Sequence, residues 1–417
     1  MKTWSRYQNY VVVCLAFLAA ILPIYAFAGF YPTAVNHYNS YSLQAASWLA
    51  GRLDLPENYG HLEIAIFEGR YFISFPPFPS IVMLPFVMIF GTKTPDHWIA
   101  LGFALLSAVY AYRIAKRLLK DEMRAIFASL FLCVGSNYLH VALWGSVWYL
   151  AQSMAFAFML LSIYYALTKR TAHSVWSLLF LACAMGCRPL NAVYLPLIVL
   201  LLYKRWEAED RKEERKLVSL AFVRKFLLWS IPAVILGGFY MLLNALRFGS
   251  VFEFGHNYLP EFLEAKDGQF APVYMAQNLH RIFLRMPKLG ADGRIEFPGF
   301  DGCAFWIVSP IVLVYAAYAI YSIFRKSAGK REPIDIAIAC AIPVLVIAQL
   351  LLLSAHKTMG GHHFGNRYTV DCLPAVFLGL MIAMPKANDK GLGFQLPLAI
   401  LGYAVNLVGS IGYYMMY

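Results

Sequence analysis

A chain that returns repeatedly to apolar runs of about 20 residues has few folds open to it, because that length matches the hydrocarbon thickness of a bilayer. Val11 to Phe30 is such a run. Trp98 to Ile114, Ala125 to Val141, Val147 to Leu167, Phe226 to Leu246, Ala304 to Phe324, Ile334 to Leu353, Tyr368 to Met384 and Gly393 to Tyr413 are others. Inside hydrocarbon every backbone N–H and C=O needs an internal partner, so each run is expected to be helical. Hydrophobic residues make up 60% of the 417 residues and charged ones only 14%, against about a quarter charged in soluble domains. The sequence therefore predicts an all-α, polytopic membrane protein of about 11 transmembrane helices surrounded by membrane lipids. Residues 1–417 are read as a single integral membrane domain without a soluble unit, linker or low-complexity tract. The net charge of +12 reports orientation in such a protein and does not argue for a nucleic-acid partner.

Basic residues set that orientation. Clusters occur at Arg113, Lys116, Arg117, Lys120 and Arg124, at Lys169-Arg170, within the helix-prone stretch from Lys204 to Lys225, and at Arg325, Lys326, Lys330 and Arg331. The positive-inside rule assigns all four to the cytoplasm. Residues 1–30 then form an uncleaved first helix with its N-terminus inside, since Gly29-Phe30-Tyr31-Pro32 offers no small-residue cleavage site. The C-terminus falls outside. Val175 to Tyr203 has basic residues on both flanks, so it must cross an even number of times. Its break at Cys187-Arg188-Pro189 predicts two short helices, or a re-entrant hairpin, with Arg188 at the outer turn. An Arg at membrane depth is either functional or a side chain snorkelling to the interface.

Parity also shapes the region after the first helix. If Pro79 to Phe90 crossed the bilayer, the Arg113 cluster would be displaced to the outside, and about 12 residues suits an interfacial or re-entrant segment better than a span. Residues 31–98 are thus one large extracytoplasmic loop with interfacial helices, far longer than a plain connector requires. Residues 99–417 carry the remaining helices, with further outer loops at 247–300 and 354–367. The first loop holds Asp54 and Glu63, and a carboxylate at a membrane surface suits a general base for an incoming hydroxyl. The third, SAHKTMGGHHFGNR, holds Lys357, His362, His363 and Arg367 and leads into Tyr368. A guanidinium offers a planar fork of donors that matches phosphate. Taken alone, Glu63 also reads as an ordinary solvated carboxylate. His362 and His363 are adjacent, seldom point together, and lack the further ligands that a metal requires. No metal and no cofactor is expected. The seven cysteines show no metal spacing, and Cys303 and Cys372 both fall near the outer face at a separation the sequence does not fix.

The order of these features resembles that of GT-C class bacterial membrane glycosyltransferases, in particular the branch related to dolichyl-phosphate-mannose protein mannosyltransferases and the lipid A aminoarabinose transferase. The likeness rests on Ala45-Ala46-Ser47-Trp48-Leu49-Ala50-Gly51, on Gly69-Arg70-Tyr71-Phe72, on Pro76-Pro77, and on the segments NALRFGSVFEFGHNY and FGNRYTVDCLP. It implies transfer of a sugar, with inversion, from a polyprenyl-phosphate-linked donor to an acceptor on the outer face of a bacterial cell membrane, without a metal. One departure stands out. Where many relatives carry an acidic residue before the Ala-rich helix, this chain has Asn39, and an amide cannot act as a general base. The resemblance therefore points to Glu63 as base, with Asp54 second, or to altered or absent catalysis. It further implies that Arg367 binds the lipid phosphate with help from Lys357 and Arg188, while Arg70 and Tyr71 shape the loop or touch the sugar. Two other readings remain open, a lipid or amphiphile transporter and a non-catalytic binder of a lipid-linked sugar. An internal repeat, which often marks transporters, is not evident.

Overall fold

The computed structural model describes residues 2–29, 32–34, 36–210, 220–291, 293–324, 332–384 and 394–416. The basic group Arg325, Lys326, Lys330 and Arg331 and the middle of the stretch from Lys204 to Lys225 lie outside the described residues. The chain opens with α1 (Lys2–Ala28), α2 (Ser40–Leu49), an antiparallel hairpin of β1 (Ile64–Phe67) and β2 (Arg70–Ile73), and α3 (Phe78–Phe90). There follow α4 (Asp96–Leu119), α5 (Glu122–Cys133), α6 (Tyr138–Ala142), α7 (Val147–Leu167), α8 (His173–Cys187), α9 (Leu195–Asp210) and α10 (Leu220–Phe248). The second outer segment holds α11 (Pro260–Leu263), α12 (Met275–Phe283) and the short strands β3 (Lys288–Leu289) and β4 (Ile295–Glu296). The last helices are α13 (Phe305–Val308), α14 (Ile311–Phe324), α15 (Pro333–Ser354), α16 (Leu373–Ala383) and α17 (Gln395–Met416).

Six described helices are long and apolar enough to cross a membrane: α1, α4, α7, α10, α15 and α17. Their burial separates centre from periphery. The most apolar window of α7 is 83% buried, whereas that of α10 is 11% and that of α1 is 22%. A helix apolar on every side and buried all round belongs in a core, while one buried along a single stripe faces lipid with the rest. In α1 the stripe is Val13, Phe17, Ile21 and Ile24, and Leu15, Leu22 and Phe27 point outward. The ring of Phe156 on α7 stacks on that of Tyr138 on α6 at 3.8 Å. Ser162 and Ser177 each donate a hydroxyl to the other's carbonyl at 2.8 Å, joining α7 to α8. Small hydroxyl residues let two apolar helices meet where no hydrophobic drive exists between them.

The polar ends sort as parity requires. Asn9 donates to Glu122 (2.7 Å), Lys116 pairs with Glu122 (2.5 Å), and Arg113 donates to Tyr164 (2.6 Å). Arg205 reaches the Thr168 carbonyl and Lys204 pairs with Asp335. The described basic groups thus share one end, and the three outer segments share the other. The segment from Pro79 to Phe90 lies within α3, whose two ends return to one element. Phe75, just before α3, meets the Tyr41 ring of α2, while beyond it Thr92 accepts from Asn39 (3.0 Å) and Asp96 accepts from Ser42 (2.9 Å). Both ends of α3 therefore return to one ten-residue helix.

Two local expectations are corrected. The first loop is not purely helical: Ile64 pairs with Ile73 and Phe67 with Arg70 around a two-residue turn in which Glu68 and Gly69 both have positive φ, the backbone that closes a tight hairpin. Secondly, Ala125 to Val141 is not one helix. It breaks at Gly135-Ser136-Asn137, where the Asn137 N–H donates sideways to Ser309 Oγ (3.1 Å).

Asn137 is wholly buried and ties together segments far apart in sequence. Its Oδ1 accepts from the Asn366 N–H at 2.9 Å, and its Nδ2 donates to Asn406 at 3.3 Å. Replacing it with Ala strands buried donors and acceptors on both partners. Asn137→Ala should lose about 2–3 kcal/mol of stability, read as a clear fall in the melting temperature of the detergent-purified protein. An unchanged melting temperature contradicts the role assigned to this residue.

Candidate functional site

A cavity of about 400 Å³ opens where the three outer segments meet, a size in the range of small-molecule sites. Each wall arises from a local backbone constraint. The first is the hairpin. Glu63 immediately precedes β1, and its backbone carbonyl accepts from the Ser74 hydroxyl at the other strand's exit (2.9 Å). This clamp directs the Glu63 side chain to the first turn of α7, where Trp148 Nε1 donates to Oε2 at 3.2 Å. Among the described residues the carboxylate takes no other hydrogen bond. Burial holds its pKa above the usual carboxylate range. The Trp148 hydrogen bond works against that shift, Glu261 adds to it, and Arg367 opposes it.

The second wall is the break after α8. Arg188 precedes Pro189 and so adopts extended backbone (φ −143°, ψ 98°). Its side chain does not snorkel outward. Nε and Nη2 converge on Asp371 Oδ2 at 3.0 and 2.8 Å. Gln152 of α7 donates to the other oxygen, Oδ1, and to the Arg367 carbonyl, both at 2.7 Å. Asp371 is 5% exposed and fully engaged.

The third wall is the turn of 3₁₀ helix from Arg367 to Cys372. Arg367 is only 4% exposed. Nη2 donates to the Gly360 carbonyl at 3.1 Å, and the guanidinium lies 5.0 Å from the Tyr368 ring centre and 5.7 Å from that of Tyr149. Nη1 is buried without a hydrogen-bond partner. No carboxylate among the described residues pairs with Arg367. Tyr368 also lies 5.1 Å from the Arg188 guanidinium and so spaces the two cations.

The outer segment from 247 to 300 closes the cavity with His256, Glu261, Gln269, Phe270 and Phe300. It is laced to the loop at 354–367. Asp301 accepts from the Met359 N–H (3.2 Å) and pairs with Arg281 (3.0 Å), and Lys357 Nζ donates to the Glu261 carbonyl.

The structure brings together four of the residues singled out from sequence: Glu63, Arg188, Arg367 and Tyr368. The others lie off the cavity lining. Asp54 pairs with Arg52 at 3.0 Å, and Asn39 precedes α2 and donates to Thr92. Arg70 is exposed beside Phe72 and approaches Glu68 at 3.9 Å. Tyr71 pairs through its backbone with Leu55 (2.7 Å). Lys357 staples two loops, as above. His362 is exposed against Phe300, whereas His363 is wholly buried and held neutral by burial and by Arg367. The two histidines therefore diverge, and among the described residues no group of three or more His, Cys, Asp or Glu side chains is placed to hold a metal. Sequence reasoning did not single out Trp148, His256, Glu261 or His356. The last three sit on the segments between long helices with no spacing to mark them, and Trp148 reads as an ordinary helix-end anchor.

A scan against protein-family models and a search of curated proteins give no match. Among solved structures the chain is similar to ArnT from Cupriavidus metallidurans, in its undecaprenyl phosphate-bound and apo forms alike. Each comparison gives 15% identity and a TM-score of 0.49, over 94% of this chain and 62% of ArnT. It is also similar to the apo form of the Archaeoglobus fulgidus oligosaccharyltransferase, with 12% identity and a TM-score of 0.51, over 99% of this chain and 57% of that one. The chain spans less than two thirds of either protein's length. At such identities the likeness concerns fold, and this multi-pass membrane protein has a GT-C-like fold.

Proposed function

We propose that the protein is an inverting glycosyltransferase that moves a sugar from a polyprenyl-phosphate-linked donor to a hydroxyl of an extracytoplasmic acceptor. The observation that carries this reading is Arg367: a buried guanidinium, unpaired by any described carboxylate, with Nη1 lacking a partner in the cavity that also contains Glu63. In the reaction, the acceptor O–H proton passes to Glu63 and the acceptor oxygen bonds to the anomeric carbon. The anomeric C–O bond to phosphate breaks with its electron pair going to the phosphate oxygen. The lipid phosphate thereby goes from a monoanionic diester to a dianionic monoester, so a fixed cation binds the departing group more strongly than the ground state. Arg367 supplies that cation, and Tyr368 and Arg188 complete the wall around it. The basic end of the helices faces the cytoplasm, and the cavity faces the outer side of a bacterial cell membrane.

Arg367→Ala should weaken binding of undecaprenyl phosphate to the purified protein by about tenfold or more, the effect expected from losing charge-assisted hydrogen bonds. Unchanged affinity would remove the phosphate site. Glu63→Gln should bind the same lipid normally yet lose transfer of labelled sugar by about 10²–10⁴-fold. Retained transfer rules Glu63 out as base, while donor binding without transfer in the wild type favours the non-catalytic reading.

The pH profile gives an independent check. A base acts deprotonated, and burial raises the pKa of Glu63. The acid limb of the transfer rate should therefore have its midpoint above the ordinary glutamate value of about 4.3. Trp148→Phe removes a hydrogen bond that favours the charged form, so it should shift that limb to still higher pH. A shift to lower pH contradicts the assignment.

A further inference from the structure

The phosphate wall and the carboxylate wall leave His256, a polar residue of the cavity lining, without an assigned role. It opens a short 3₁₀ turn, His256 to Tyr258, directly after Gly255. Gly255 has φ +105°, and a Cβ there would come within 2.7 Å of the Phe248 ring and 3.2 Å of Ser74 Cα. A residue without a side chain is therefore needed for this loop to lie against the exit of the hairpin. That approach sets His256 Nδ1 3.2 Å from the Ser74 carbonyl. A carbonyl can only accept, so Nδ1 carries the proton and Nε2 carries the lone pair. Nε2 has no partner among the described residues, and His256 lines the cavity.

The neighbours narrow what this lone pair can receive. His356, the other imidazole of the lining, is already committed, with Nδ1 2.7 Å from the Thr358 carbonyl and Nε2 3.0 Å from the Gln269 amide. Phe75 and Phe254 flank His256 with ring centres at 5.9 Å each, and Phe262 approaches at 4.9 Å. Burial, together with His356, pushes the His256 pKa down to about 4, so the ring is neutral at physiological pH. The charge of Arg188 also reaches it and works in the same direction. One accepting nitrogen set among aromatic rings, in the cavity that also holds Arg367, has the chemistry to recognise a sugar: a hydroxyl for the nitrogen and C–H faces for the rings.

We propose that His256 is a sugar-recognition residue of the donor site, its Nε2 accepting a hydrogen bond from a hydroxyl of the transferred hexose or pentose. This inference rests on the glycosyl-transfer reading, and Ser74 gives it a structural basis. Ser74 is fully buried, and it positions both groups, Glu63 through its hydroxyl and His256 through its carbonyl. The sugar would then be held from the same backbone residue that orients the proposed base.

The test compares two ligands on the purified full chain: undecaprenyl phosphate alone, and undecaprenyl phosphate carrying one of a panel of single hexoses and pentoses. The wild type should bind at least one sugar-bearing lipid more tightly than the bare lipid. His256→Asn keeps a donor near the Ser74 carbonyl and removes Nε2. It should bind the bare lipid within about twofold of wild type and lose about tenfold on the sugar-bearing one. His256→Gln, which places an amide oxygen near the Nε2 position, should recover part of that loss. A merely structural histidine gives equal losses on both ligands, tracking the melting temperature, and no recovery in His256→Gln; that pattern overturns the proposal. So does a wild type with no preference for any sugar-bearing lipid. If the wild type binds neither ligand, the glycosyl-transfer reading itself fails and this inference fails with it, an outcome distinct from the preceding two.

Discussion

Two arginines and a single buried carboxylate determine the character of the cavity. Asp371 commits one oxygen to Arg188 and the other to Gln152, and neither pairs with Arg367. Removing an ion from water costs several kcal/mol even after relaxation, and an unpaired one keeps most of that cost. Arg367 recovers part of it from the Gly360 carbonyl and from the faces of Tyr368 and Tyr149. The remainder stands as a site poised for an anion. Were Asp371 turned toward Arg367, the excess positive charge would remain, but it would sit on Arg188 instead.

The scaffold keeps that arrangement from relaxing. Gln152, which orients Asp371, and Trp148, which holds Glu63, both project from α7, the most buried of the long helices. The loop bearing Arg367 is anchored behind by Asn137 through Asn366, and in front by Asp301 through Met359. Opposed walls are thus referred to one rigid helix, which is how side chains on long outer segments acquire fixed positions. The peripheral helices α1 and α10, mostly exposed apolar surface, complete the lipid-facing belt.

Much of this was legible from sequence, for physical reasons that also mark where legibility stops. Length and hydropathy located α7 to the residue, because a span of hydrocarbon is a coarse and strong constraint. Charge parity predicts that Pro79 to Phe90 stays on one side of the membrane, and both ends of α3 return to α2. Cys187-Arg188-Pro189 gave the turn, since the residue before proline cannot stay helical. The Glu68-Gly69 hairpin went unread in a loop expected to hold interfacial helices. Within the third outer segment, Arg367 is expected from sequence to bind phosphate with help from Lys357, and His362 and His363 are further candidates. Only Arg367 reaches the cavity, because loop side chains have no periodicity and their direction is decided by long-range partners such as Asn137 and Asp301. His256 and Glu261 were invisible for the same reason.

The account stands on Arg367 as the unneutralised cation of the site. The most direct measurement is an experimental structure of the chain with undecaprenyl phosphate bound. The account places a phosphate oxygen at charge-assisted hydrogen-bond distance, about 2.7–2.9 Å, from Arg367 Nη1, with Asp371 still on Arg188. A phosphate seated elsewhere, for instance against Lys357 and His362, with Arg367 turned onto Asp371, would contradict it.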